Sequence, residues 1–165
     1  VKFIDSHDPH WHAADGEDGP QPAPTPADHL LLTLEQWHAV REHWPSRFAV
    51  GVRLPNEAEV EQLVPDLPRL AMIALQFPKW VDGRAYSQAT LLRRRWRFRG
   101  EIRAMGEVLV DMLPLLQRTG FDAVQLRADQ DARTAKRTLG FFEQGHYQGD
   151  VNETQPWFAR RAAWA

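Results

Sequence analysis

At 165 residues and 43% hydrophobic content, the chain can bury one core and is too short for two domains of ordinary size. Its 20 basic and 22 acidic residues leave a formal charge of -2, which excludes the broad positive field that nucleic acid or an anionic membrane selects. The absence of cysteine excludes disulfides, thiol redox chemistry and a protein-held iron–sulfur cluster, and it removes the usual structural zinc ligand sets.

No apolar run approaches the ~20 residues that a membrane-spanning helix needs, and the start VKFIDSHDPH has no signal-peptide apolar region, so a cytoplasmic location is the expectation. VKFI has the composition of an edge strand. Residues 13–28 are dense in Gly and Pro and read as a mobile loop. Thr33-Leu34-Glu35-Gln36 has capping-box spacing and Pro45 is a stop, which predicts a helix over 34–44. From residue 48 onward, short apolar runs at 48–54, 70–77, 101–106 and 122–127 alternate with amphipathic segments near 57–64, 87–96, 111–119 and 131–143. Asn56, Ser87 and Asp131 are candidate N-caps, and Gly100 and Gly120 lie where helices hand over to strands. Pro114 requires its helix to begin near Asp111.

The pattern predicts a single α/β domain of about four parallel βα units, as an open sheet or a partial barrel. An irregular N-terminal segment (1–47) precedes the core (48–144), and a C-terminal arm (145–165) follows it. Ligands of such sheets sit outside the carboxyl ends of the strands.

Arg53, Lys79, Arg103 and Arg127 each fall at or just past the end of one predicted strand. Converging there, they would form a pocket for a small oxyanion, with guanidinium forks and one ammonium. Diverging, they would be solvated strand ends. FPKWVDGRAYS (77–87) follows the second strand and lies on the same edge. Gly83 permits a positive-φ turn, Asp82 can pair with Arg84 or Lys79, and Tyr86 can donate a hydrogen bond. As a catalytic set the loop would offer Lys79 and Tyr86 as acids and Asp82 as base or orienter. As a structural element it would be a glycine turn braced by an Asp–Arg pair.

Three further features carry less. Five arginines lie in 93–99, where cations offset a helix macrodipole, and no matching basic field supports nucleic acid. His7, His10 and His12 with Asp5 and Asp8 match no ligand spacing with a physical basis, so no metal site is expected. The absence of a glycine-rich phosphate loop or a dinucleotide turn gives no cofactor. Tyr147, Trp157 and Phe158 in the arm have the composition of interface anchors, or of an arm packed on its own domain.

FPKWVDGRAYS, LLR, GEIRAMGEVL and GFDAVQL together resemble a bacterial family, domain of unknown function nine-three-four, over about residues 48–158. The matching positions include Phe77, Pro78, Lys79, Asp82, Gly83, Arg84, Tyr86, Ser87, Arg93, Gly100, Glu101, Arg103, Gly106 and Asp111. Trp80, Val81, Ala85, Glu107 and Met112 depart from the pattern. The resemblance implies a setting in assimilatory sulfite reduction, with sulfite reductase hemoprotein as the implied partner. The family label "probable oxidoreductase" would require a cofactor that these residues do not advertise. Three functions fit: an accessory protein holding a small oxyanion or an anionic partner through Arg53, Lys79, Arg84, Arg103 and Arg127; a cofactor-independent enzyme using Lys79, Asp82 and Tyr86; or an adaptor docking by its aromatic arm.

Overall fold

The computed structural model describes residues 2–4, 10–16, 19–20 and 22–140. The chain opens with β1 (Lys2–Ile4), β2 (His12–Ala13) and a small hairpin, β3 (Asp15–Gly16) with β4 (Gly19–Pro20). Five βα units follow: β5 (Leu30–Thr33) with α1 (Leu34–Val40), β6 (Val50–Leu54) with a 3-10 segment (Val60–Arg69), and β7 (Met72–Phe77) with α2 (Arg84–Thr90). The last two are β8 (Glu101–Gly106) with α3 (Leu113–Thr119) and β9 (Ala123–Gln125) with α4 (Ala132–Gly140). The sheet order is β1-β9-β8-β7-β6-β5-β2, every neighbouring pair is parallel, and the open sheet curls into a half-barrel.

Alternation along the strands separates two faces. Val52, Leu54, Ile73, Leu75, Phe77, Ile102, Ala104 and Val124 point into the main core. There they meet Trp37 of α1, Ala85 and Ala89 of α2, Leu113 and Leu116 of α3, and Ala135 of α4. The opposite, inner face carries a smaller cluster of Leu31, Met72 and Ala74, with Trp11 and Met105 against it. At Gly51 an added Cβ would stand 2.8 Å from Met72 Cε and 3.0 Å from the Trp11 ring, so both side chains would have to shift to admit it.

Several expectations are corrected by local physics. The parallel sheet takes in Leu30–Thr33, a strand hidden in the sequence because it runs directly into the capping box. Thr33 is both the last residue of β5 and the N-cap of α1: its backbone N–H donates to Gln36 Oε1 (2.8 Å), and its hydroxyl accepts from Gln36 N (3.1 Å). The span expected to be a loop at 13–28 contains part of β2 and the β3–β4 hairpin. The helix expected at 57–64 is a 3-10 segment displaced to 60–69, where Pro65 and Pro68 lack the N–H groups an α-helix uses. Its Asp66 is nearly buried and is held by Trp37 Nε1 (3.0 Å) and Arg41 Nη1 (3.2 Å), which ties the segment to α1.

Neither Asn56 nor Ser87 caps a helix, whereas Asp131 does, accepting from Thr134 N at 2.9 Å. The arginine run ends α2 in a π turn (Leu91–Arg95). There Arg93 donates to the carbonyls of Phe98, Gly100 and Gly120 and pairs with Asp122. Phe98 is buried and Trp96 lies under Arg95, so the aromatics of this run serve packing.

Glycine is required where β8 ends. Gly106 has φ +99, and an added Cβ would lie 2.5 Å from the Phe77 carbonyl oxygen, the acceptor for Glu107 N–H at 2.8 Å. Gly106→Ala is expected to cost about 2–4 kcal/mol through strain and collision. Urea unfolding at neutral pH measures this, and an unchanged midpoint would show that the β7–β8 edge relaxes freely.

Candidate functional site

The loops after β6 and β7 form one unit at the carboxyl edge of the sheet. Asn56, only 5% exposed, donates from Nδ2 to Asp82 Oδ2 at 2.7 Å, joining the two loops. Gln88, on the buried side of α2, donates from Nε2 to the carbonyls of Pro55 (2.9 Å) and Ala58 (2.8 Å). A buried amide at each point satisfies backbone or carboxylate groups that would otherwise lose water without a partner. Sequence reasoning missed both residues as loop braces. Asn56 reads as a cap and Gln88 as an ordinary helix residue, because their partners lie 26 to 33 residues away.

Asp82 is the hub. Arg84 reaches it through Nε (3.1 Å), Nη2 (2.8 Å) and its backbone N–H (3.2 Å). These bonds, with the arginine side chain contributing most, hold the Asp82 carboxyl down to about 2. Gly83, expected to supply a positive-φ turn, has φ -85 and serves as the N-cap position of α2.

Lys79, Trp80 and Val81 project from this braced base. Trp80 is 57% and Val81 66% exposed, Lys79 is exposed, and among the described residues Lys79 has no ion-pair partner. Tyr86 turns the other way. Its ring packs edge-on against Phe77 at 5.1 Å and Phe121 at 6.4 Å, and burial pushes its hydroxyl up to about 12. Lys79, Asp82 and Tyr86 therefore divide among solvent, a saturated ion pair and an aromatic cluster.

Of the expected anion-binding residues, Arg84, Arg103 and Arg127 meet carboxylates. Arg84 is engaged by Asp82. Arg127 makes a fork with Asp129 (2.6 and 2.7 Å) and a third bond to Glu107 Oε2 (2.7 Å). These carboxylates raise its pKa, while Asp129 is held down to about 2, chiefly by the Arg127 side chain. Arg103, 4% exposed, grips Glu101 Oε1 through Nε (2.8 Å) and Nη2 (2.7 Å). Arg53 has no carboxylate among the described residues, and its Nε is buried without an acceptor.

His7, Tyr147, Trp157 and Phe158 lie outside the described residues. Among the described ones, no three His, Asp or Glu side chains gather as metal ligands, and no helix is long and apolar enough to cross a membrane.

A singly wound parallel half-barrel with a braced loop at its carboxyl edge defines the class: an α/β protein that presents side chains from a fixed scaffold. Residues 51–158 match the family of bacterial proteins of unknown function DUF934, and the chain belongs to that family. No curated protein matches it.

The Asp82 ion pair predicts an acid limb to stability. A carboxyl at about 2 when folded and 3.8 otherwise contributes stability that is complete above 3.8 and lost as pH falls toward 2. Asp82→Asn is expected to lower the urea midpoint at neutral pH and to flatten its fall between pH 3.8 and about 2. Parallel curves for the two proteins over that interval would show that the pair contributes nothing.

Proposed function

We propose that this chain is an accessory binding protein of assimilatory sulfite reduction that docks on an anionic surface of a protein partner through the Lys79-Trp80-Val81 loop. The observation carrying the docking mode is the pairing of an exposed cation and two exposed apolar side chains with a base fixed by Asp82, Asn56 and Arg84. Aromatic anchors beside a positive charge are the usual energetic centre of protein interfaces, and a loop fixed beforehand loses little entropy on binding. The sulfur setting, with sulfite reductase hemoprotein as the partner, rests on the family resemblance. Turnover finds weaker support, since Asp82 is held near 2 as a poor base and Tyr86 near 12 inside an aromatic cluster.

Binding of the full chain to immobilised sulfite reductase hemoprotein tests the reading. Trp80→Ala and Lys79→Glu are expected to weaken binding at least tenfold while leaving the melting temperature within about a degree or two, as exposed substitutions do. The loss from Lys79→Glu should shrink as salt is raised. Absence of binding by the unaltered chain, or equal binding by both variants, overturns the docking role.

A further inference from the structure

Strand register places one transverse row of residues across the inner face of the half-barrel: Lys2, Ala123, Arg103, Ala74, Arg53 and Thr33, each the pairing partner of the next. Three cations thus alternate with two alanines. Successive cations are two strands apart, about 10 Å along the sheet, and arginine side chains can span that gap over a methyl group. Inward curl brings side-chain ends on a concave face closer still. Glu101, two residues before Arg103 on β8, lies on the same face and is bonded to Arg103. Among the described residues Arg53 itself meets no carboxylate. Gln76, two residues beyond Ala74, adds a neutral polar group on the carboxyl side.

Arg53 differs from Arg93, Arg103 and Arg127. Arg93 and Arg127 have their forks filled by carbonyls or carboxylates, and Arg103 has Glu101. The Arg53 Nε is buried without an acceptor, although the side chain as a whole keeps partial exposure. A buried donor without an acceptor is costly, and guanidinium Nε with its neighbouring Nη forms the edge that takes two oxygens of one anion.

We propose that Arg53 binds a small oxyanion of the sulfate, phosphate or carboxylate class on the inner face of the half-barrel. This site is separate from the Lys79-Trp80-Val81 loop and does not depend on the docking reading. Lys2 is exposed at the end of the same row.

The test is calorimetric titration of the full chain with sodium sulfate, sodium phosphate and sodium malonate, each against sodium chloride at equal ionic strength. Saturable binding of at least one is expected, weakened at least tenfold in Arg53→Gln and retained in Arg127→Gln. Preference for sulfate and phosphate marks a tetrahedral ligand, and preference for malonate marks a carboxylate. Without any added oxyanion, Arg53→Met is expected to melt at the same temperature as the unaltered chain or higher, because it removes an unsatisfied donor. No saturable binding of any of the three, binding undiminished in Arg53→Gln, or a lower melting temperature for Arg53→Met overturns the proposal.

Discussion

A parallel sheet that advances in one direction along its sequence must place its right-handed crossovers on one face. The remaining features of this chain follow from that constraint. β5 through β9 lie side by side in chain order, and the helices that join them share one core with the outer face of the sheet. The inner face is thereby freed from helix packing. A buried strand facing helices on both sides would need apolar residues throughout, whereas here Arg53, Gln76, Glu101 and Arg103 alternate with core residues of the opposite face. The winding also gathers the strand-to-helix loops at one edge, where polar side chains from one unit can brace the next.

That edge is stiffened by local ion pairs and buried amides. Arg84 and Asp82 close a turn two residues apart, and Asn56 transfers its position to the neighbouring loop. Gln88 fixes the β6 loop from beneath. Because the Asp82 pair is solvent-accessible, its worth lies more in geometry than in Coulomb energy, which water and salt screen. The effect is to hold the backbone of residues 79–81 while their side chains remain available. The Phe77–Tyr86–Phe121 cluster supplies the apolar floor.

Short apolar runs identified β6 through β9, with β8 matching residue for residue, and Gly120, placed where a helix hands over to a strand, is the left-handed C-cap of α3. The Thr33–Gln36 capping box was legible because all its groups lie within one turn. β5 was not, since four residues leading straight into a helix show too little alternation to register. The 3-10 segment escaped because Pro65 and Pro68 set its geometry while its apolar spacing still suits an ordinary helix. Charge placement was half legible. Arg53 and Arg127 fall at or past strand ends as expected, whereas Arg103 lies inside β8, and which carboxylate each one meets depends on contacts such as Arg127 with Glu107, 20 residues away. Lys2 belongs to the inner row only because β1 returns to pair with β9, a register that no local pattern near residue 2 announces.

The distribution of satisfied and unsatisfied cations separates scaffold from surface. Arginines at the corners of the fold have filled forks: Arg93 fastens the π turn to the β8 and β9 entries, and Arg127 fastens the β9 exit to the β8 loop. Removing either would leave several acceptors without donors at once, the signature of a structural role. Lys79 and Arg53 have no such dependants. One stands in solvent beside Trp80, and the other faces inward with a buried Nε and no acceptor. A side chain that the fold does not use, held in place by parts that the fold does use, is available for a partner. The two positions are distinct in chemistry: an exposed ammonium beside an indole suits a broad protein surface, and a recessed guanidinium edge suits a compact anion. The same winding produces both, since it leaves β7's exit loop at the rim and Arg53 of neighbouring β6 on the inner wall.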